Sequence, residues 1–387
     1  MTVSFLKENS MKFWNYIRQE PLSLLLLALP LTVIALYANW GALWVFAFSA
    51  LGVIPMARYI GISTEVLAFH IGPRLGGLLN ATLGNAAELI ITIAAIQEGL
   101  LELVKASITG SILGNLLLVL GMSMVLGGLR NGVQAFNRRH AGNNAVLLTL
   151  AVVALLIPSL LSASIGGTQS LKVEAFSLGV AGVMIVLYAL GLLYNFRMEG
   201  NGRQAADVAL EGIPNGKDHA ATQPDSEVEG HPEWSIRTAL IVLALATAGV
   251  AYLSELLVGA VEPVVASLGV SEFFLGIILI PIVGNVAEHL VAVRVAIANK
   301  MDLSVEISLS SSLQIALFVA PVLVFVSLLF GNPLQLIFNQ FELLALIAGV
   351  LIAALVSADG ESNWLEGAEL LAVYAILSLA FFLLPMS

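Results

Sequence analysis

The sequence contains no cysteine, and charged residues make up only 11% of its 387 positions. The absence of cysteine excludes disulfides, thiolate metal centres and thiol redox chemistry. The scarcity of charge, with 59% hydrophobic residues and a mean hydropathy of +0.96, lies far outside the range of soluble domains. The composition therefore predicts a polytopic membrane protein. Its surroundings are the lipid bilayer, and no nucleic-acid partner is expected. The net charge of −10 says little about partners, because much of it lies in one acidic segment.

Long, continuous apolar runs predict membrane-spanning helices rather than a β-barrel. Strands of a barrel are about ten residues long and alternate in polarity, whereas about 20 apolar residues are needed for a helix to cross the hydrocarbon core. Eleven runs meet this length, so the expected fold is an all-α polytopic membrane protein with eleven transmembrane helices. The predicted spans are 22–40, 42–58, 75–96, 104–128, 145–162, 173–196, 236–258, 272–298, 304–330, 335–357 and 364–384.

The distribution of basic residues predicts the orientation. One set of loops carries Lys7, Lys12, Arg18, Arg58, Arg74, Arg130, Arg138, Arg139, Arg197 and Arg203. The opposite loops carry only Lys105 and Lys172, so the positive-inside rule places the amino terminus and the acidic segment 199–233 in the cytoplasm. The start of the chain lacks the apolar region and cleavage site of a signal peptide. A bacterial plasma membrane is the expected location of this multi-pass protein, with a vacuolar membrane as the alternative.

A short phrase occurs twice in the chain, as GNAAE at 84–88 and as GNVAE at 284–288. The predicted spans that hold the two copies begin on opposite sides of the membrane, which is the pattern of an inverted repeat in secondary transporters. We therefore expect an extra amino-terminal helix within 1–41 and a first five-helix repeat at 42–198. An acidic cytoplasmic loop at 199–235 and a second, inverted five-helix repeat at 236–387 would follow.

Each copy of the phrase places an acid and an amide inside an apolar span. Ionisable residues in spans are costly, and by default they mark a pathway or a binding site. Glu88 and Glu288, with Asn85 and Asn285, are therefore the candidate residues of one shared cation site. Gly84 and Gly284 permit close approach of the backbone or a local break in the helix. For the glycines alone, close packing of helices explains the residue equally well.

The span after each copy is polar on one face. Its candidate supporting residues are Ser111, Asn115, Ser311, Ser312 and Gln314. Hydroxyl and amide oxygens beside carboxylates suit a hard cation such as Ca²⁺, whereas softer metals favour cysteine or several histidines. For any single serine, helix packing is the alternative interpretation. Glu65 and Glu255, near the ends of corresponding helices, are candidate acids of two entry vestibules or, alternatively, carboxylates in interfacial water.

The motifs together resemble the Ca²⁺/H⁺ antiporter family of the cation/Ca²⁺ exchanger superfamily. The similar stretches are LGGLLNATLGNAAE at 75–88, PIVGNVAEH at 281–289, SSLQIAL at 311–317 and DGESNWLEG at 359–367. The resemblance implies a fold of eleven helices in a one-plus-five-plus-five arrangement. Val286 stands where the family usually has alanine, which changes one apolar residue for another.

The resemblance also implies a function. Glu88 and Glu288 would alternately hold Ca²⁺ and protons, and Asn85 and Asn285 would orient or gate the site. His289 follows the second acid as it does in the family. Ca²⁺ and protons are then transported substrates, and no cofactor is expected. Sodium-coupled members of the superfamily typically carry Gly-Thr/Ser-Ser-x-Pro-Glu/Asp at this place, so the asparagine and the missing proline favour proton coupling.

Two other classes of protein remain as alternatives. A cation channel also lines its path with carboxylates, but it usually arranges them in rings through subunit symmetry. A membrane-embedded hydrolase is the second, although Glu288-His289 lacks the second histidine of His-Glu-x-x-His. Dependence of Ca²⁺ movement on a proton gradient separates the exchanger from the channel, and metal-dependent bond cleavage would indicate the hydrolase.

Overall fold

The computed structural model describes residues 21–165, 170–211 and 234–384, and this part of the chain is almost entirely helical. The helices are α1 (Ala28–Tyr37), α2 (Ala42–Ile71), α3 (Pro73–Leu83), α4 (Ala86–Gln97), α5 (Leu101–Asn131), α6 (Arg138–Ile165), α7 (Leu171–Glu211), α8 (Ile236–Gly259), α9 (Val261–Leu268), α10 (Glu272–Ile297), α11 (Met301–Phe330), α12 (Gln340–Val356) and α13 (Trp364–Leu383). The strands β1 (Gln134–Ala135) and β2 (Glu361–Ser362) pair antiparallel and join the loop after α5 to the loop before α13.

The apolar helices lie on the predicted spans. Among the described residues, 8 helices are long and apolar enough to cross a membrane, namely α2, α5, α6, α7, α8, α10, α11 and α13. Shorter apolar helices cover Leu22–Tyr37, Ala86–Gln97 and Gln340–Val356, where the remaining three spans were predicted. The protein is therefore a multi-pass membrane protein, and the count of eleven crossings stays a prediction.

The structure corrects the shape of two predicted spans. The span 75–96 is not one helix, because α3 ends at Leu83 and α4 begins at Ala86, with Gly84 and Asn85 at the junction. The span that begins at Ala42 continues to Ile71. It is bounded by Gly41 and Gly72, whose φ angles of 100° and 90° favour glycine and interrupt helical geometry.

The acidic segment predicted as a loop from residue 199 begins later in the structure. Residues 199–211 continue α7, because the stretch RQAADVAL at 203–210 contains mostly residues that are compatible with a helix. Residues 212–233, which hold the rest of the predicted loop, lie outside the described residues.

Three helices contain a turn of π-helix beside the repeated motifs. These turns span Gly114–Val119 in α5, Leu275–Leu279 in α10 and Ile315–Val319 in α11. Pro281 and Pro321 follow the last two, and proline cannot donate the backbone hydrogen bond that a regular α-helix needs. Such π-turns often occur at functional sites, since they reorient the side chains around them.

Helix α5 forms the centre of the bundle. In the most apolar 18-residue stretch of α5, 72% of the residues are buried inside the protein, compared with 17% in the corresponding stretches of α7 and α13. Glycines allow its neighbours to approach closely. A Cβ at Gly121 would lie 3.0 Å from the carbonyl oxygen of Gly367 in α13, and one at Gly110 would overlap the backbone of Ile277 in α10. The polar face of α5 therefore lies directly against the second half of the chain.

Candidate functional site

Glu88 lies at the break between α3 and α4. Asn85 is the residue that precedes α4, so Glu88 is in the first turn of this helix and only 6% exposed. The first backbone N–H groups of a helix lack partners within the helix and give its start a partial positive charge. The interrupted span thus provides a favourable electrostatic environment for one buried carboxylate.

Each glutamate packs against the glycine of the other motif. Oε1 of Glu88 lies 3.0 Å from the position that a Cβ on Gly284 would occupy, and its Cγ lies 3.4 Å from the same point. In the opposite direction, Oε1 of Glu288 lies 3.6 Å from the position of a Cβ on Gly84. The structure therefore brings the two predicted acids together, each over a residue that has no side chain.

The two asparagines of the motifs donate hydrogen bonds across the halves. Nδ2 of Asn85 donates to Oε1 of Gln314 at 2.5 Å. Nδ2 of Asn285 donates to Oγ of Ser111 at 3.3 Å and to the carbonyl of Pro281 at 3.0 Å. These bonds use the amide nitrogens, so the side-chain oxygen of each asparagine is available to bind another group.

Three buried side-chain oxygens at this place have no hydrogen-bond partner among the described residues. They are Oδ1 of Asn85, Oδ1 of Asn285 and Oε1 of Glu88. A buried polar atom without a partner costs free energy, and an unpaired cluster in a native fold calls for an explanation such as a bound ion. Carboxylate and amide oxygens are the ligands that Ca²⁺ prefers. The donor set therefore fits a hard cation as a substrate.

Glu288 differs from Glu88 in having a chain of donors behind it. Oγ of Ser311 donates to Oε2 of Glu288 at 3.1 Å. Nδ2 of Asn115 donates to Oγ of Ser311 at 2.9 Å, and Nε2 of His289 lies 3.1 Å from Oδ1 of Asn115. Since Oδ1 can only accept, the histidine is the donor in that contact. His289 is thus connected to Glu288 through the two polar residues between them.

Other predicted residues lie away from this centre. Oγ of Ser312 donates to the carbonyl of Ser308, four residues earlier in α11, at 2.9 Å. Serines within helices commonly make this bond to their own backbone, so the hydroxyl of Ser312 is used within its own helix. Glu65 and Glu255 are exposed, on α2 and α8 respectively, while the adjacent Thr64 and Ser254 are fully buried. A role for the two exposed acids in attracting cations stays a prediction.

Sequence reasoning identified the polar residues but not their pairing. It gave helix packing as one of two equally good explanations of the glycines, and it did not predict that the opposite carboxylates lie over them. It also did not assign Gln314 to Asn85, because the polar face of α11 offers several serines and one amide with similar spacing. Within the described residues there is no cluster of three or more His, Cys, Asp or Glu that could hold a metal. A cation here would need amide or backbone oxygens beside the two acids.

A protein-family comparison matches most of the chain. The model described as "Sodium/calcium exchanger protein" matches residues 41–197 and 238–383. Two curated bacterial proteins are similar over nearly their whole length. A Ca²⁺/H⁺ antiporter of Synechocystis is 46% identical over 93% of this chain and 96% of its own. The Ca²⁺/H⁺ antiporter ChaA of Bacillus subtilis is 45% identical over 92% of this chain and 96% of its own.

The fold is also similar to a solved structure. The structure described as native YfkE superposes with a TM-score of 0.78 and is 41% identical in sequence. The match covers 94% of this chain and 100% of that chain.

Proposed function

The chain belongs to the sodium/calcium exchanger protein family, and from that premise we propose that it exchanges Ca²⁺ for protons across a membrane by alternating access. It is a transporter rather than an enzyme, as are its curated relatives. Glu88 and Glu288 are proposed to bind either Ca²⁺ or protons, with Asn85 and Asn285 as further oxygen ligands of Ca²⁺. A plasma-membrane location follows from the bacterial relatives.

The observation that carries this proposal is the reciprocal packing of the two glutamates. Glu88 lies over Gly284 and Glu288 lies over Gly84, and Oε1 of Glu88 and Oδ1 of both asparagines are buried without a partner among the described residues. Ca²⁺ takes about six to eight oxygens at about 2.3 to 2.6 Å. Two carboxylates and two amide oxygens supply much of that shell, and water or backbone carbonyls can supply the rest.

Competition between Ca²⁺ and protons follows from electrostatics. Two ionised carboxylates held near each other in a largely buried site repel each other and lose part of their hydration, so the empty and doubly charged site is costly. A divalent cation between them offsets both effects, and so does protonation. We propose that the protein cannot switch the site from one side of the membrane to the other while the site is empty and charged. It then switches only when the site holds Ca²⁺ or protons, and exchange is obligatory.

The inverted arrangement of two five-helix halves is part of the proposal. It is supported by the equivalent positions of the two motifs, of the π-helical turns at Gly114–Val119 and Ile315–Val319, and of the hydroxyl-bearing helices α5 and α11. In this arrangement the glutamates of the two halves meet near the middle of the bilayer, as binding sites of such transporters do. One additional amino-terminal helix, α1 with the turn before it, completes the eleven proposed crossings.

The test of the function is Ca²⁺ uptake by purified protein in liposomes with an imposed pH gradient. We expect uptake to require the gradient, to stop when an ionophore collapses it, and to acidify the opposite compartment as Ca²⁺ moves. Uptake that continues at the same rate without any proton gradient or counter-movement would instead indicate a channel. Competition by Na⁺ and Mn²⁺ in the same assay tests cation selectivity.

Ser311→Ala is expected to raise the Ca²⁺ concentration for half-maximal uptake by about tenfold, since a hydrogen bond to a charged group contributes about 1.5 to 3 kcal/mol. The variant removes the donor to Glu288 and leaves the amide of Asn115 without an acceptor. Ser312→Ala is the matched control, because it makes the same chemical change at the next residue and removes only a bond within α11. Equal effects of the two variants would contradict the assigned role of Ser311.

A further inference from the structure

The turns that follow the two glutamate-bearing helices have the same geometry. In the first, which joins α4 to α5, the N–H of Gly99 donates to the carbonyl of Ile96 at 3.0 Å. In the second, which joins α10 to α11, the N–H of Asn299 donates to the carbonyl of Ala296 at 3.0 Å. Gly99 and Asn299 have φ angles of 77° and 62°. Each turn therefore ends a helix in the same left-handed conformation and leads directly into the helix that carries the supporting polar residues.

The first turn is held by a residue of the opposite half. Asn332, in the loop after α11, donates from Nδ2 to the carbonyl of Ile96 at 2.8 Å, with the carbonyl of Gln97 at 3.5 Å. The carbonyl of Ile96 already accepts the N–H of Gly99 within the turn, so Asn332 adds a second donor that comes from outside the helix and its turn. A side chain of the second half thus fixes the end of α4, the helix whose first turn holds Glu88.

The second turn is held in the same way by the first half. Nδ2 of Asn131, the last residue of α5, donates to the carbonyls of Ala296 at 3.3 Å and Ile297 at 3.1 Å. Nε2 of Gln134, in β1 after α5, donates to the carbonyl of Ala296 and to Oδ1 of Asn299, both at 2.9 Å. Gln134 is only 2% exposed, so water cannot readily replace these bonds.

The two attachments correspond to each other. Ile96 and Ala296 are two hundred positions apart, as are Glu88 and Glu288. Asn332, which follows α11, holds the turn between α4 and α5. Asn131 and Gln134, at the end of α5 and just after it, hold the turn between α10 and α11. The pair α4 and α5 and the pair α10 and α11 are therefore linked reciprocally, at two separate turns.

We propose that Asn332, and Asn131 together with Gln134, are positioning residues for the two glutamates. Ile96 is eight residues after Glu88, which is about 12 Å along the helix at about 1.5 Å per residue. Since the helix is rigid over that length, a tilt at its held end moves the carboxylate at its other end. The attachments keep each glutamate over the glycine of the other motif. This inference rests on the proposed function, because it concerns residues that position the proposed Ca²⁺ site.

Asn332→Ala and Gln134→Ala test the proposal in the full-length protein in liposomes. We expect the Ca²⁺ concentration for half-maximal uptake to rise about fivefold in Asn332→Ala, which loses one short hydrogen bond, and further in Gln134→Ala, which loses two. The maximal rate per folded protein should change much less, because the glutamates themselves remain. Thermal unfolding of each purified variant measures the accompanying loss of stability.

Two asparagines in the same loops provide matched controls. Asn339 accepts from the N–H of Glu342 and caps α12, and Asn137 accepts from the N–H of Arg139 and caps α6. Replacing either asparagine by alanine removes a local cap and should lower thermal stability. The Ca²⁺ concentration for half-maximal uptake should stay native in both control variants. Native Ca²⁺ dependence in both Asn332→Ala and Gln134→Ala, or equal shifts in the controls, would overturn the positioning role. Wild-type protein in the same vesicles tests the proposed function separately, since it contains both attachments.

Discussion

Glu88→Gln and Glu288→Gln are each expected to lower proton-coupled Ca²⁺ uptake by at least about a hundredfold. The amide has nearly the same shape as the carboxyl group but carries no charge and takes no transported proton. Leaving one member of a buried charged set without its counter-charge costs about 3 kcal/mol or more, which corresponds to at least about a hundredfold in binding. The measurement is initial Ca²⁺ uptake into liposomes at equal amounts of folded protein.

Glu98→Gln is the control for this pair of variants. Glu98 is the residue directly after α4, the helix that holds Glu88, and its side chain is exposed. An isolated exposed charge contributes little to stability or binding, so uptake should stay within about twofold of the native rate. Near-native exchange by either Glu88→Gln or Glu288→Gln would remove that glutamate from the proposed site.

Gly284→Ala is expected to reduce Ca²⁺ uptake by about tenfold or more while the protein still folds. The new Cβ would lie 3.0 Å from Oε1 and 3.3 Å from Cδ of Glu88, which is closer than ordinary van der Waals contact. The three nearest atoms to this position all belong to that one side chain, so the side chain rather than the backbone must move. Misplacement of a reacting group by about 1 Å can cost about a hundredfold in rate, and a shift of half that distance costs less.

Two other glycines make this prediction specific. Gly182→Ala, in α7, adds a methyl group where nothing lies within 4 Å, so uptake and stability should be native or slightly improved. Gly84→Ala would bring its Cβ within 2.7 Å of the carbonyl of Asn80, so it should also lower thermal stability. A Gly284→Ala protein with native Ca²⁺ uptake would show that the contact between Glu88 and Gly284 does not matter for transport.

Several features of the protein were predictable from local sequence patterns. Apolar runs of sufficient length predicted the positions of the apolar helices, because burial in lipid depends on composition over about 20 residues. The repeated phrase predicted that Glu88 and Glu288 belong to one site, since an acid within an apolar span is too costly to be placed there without a partner or a function. The similarity of the motifs to one family predicted the family to which the chain belongs.

Other features depended on contacts between distant parts of the chain. Glycine permits a break within the span 75–96, but only the structure shows that α3 ends at Leu83 and α4 begins at Ala86. Oε1 of Glu288 lies against this junction, 3.6 Å from the position of a Cβ on Gly84. The polar face of α11 does not by itself distinguish Ser311 from Ser312. Only the packing of α11 against α5 and α10 directs the first to Glu288 and leaves the second bonded within its own helix.

The sequence alone determined the class of protein, the duplicated acids and the family, because each of these depends on which residues are present and how they are spaced. The tertiary structure decided which oxygen faces which, that each acid lies over the glycine of the other half, and that loops of one half hold the helix ends of the other. Those relations join residues about two hundred positions apart. Hydrogen bonds and close packing act over a few ångströms, so only the folded chain determines which of these groups meet.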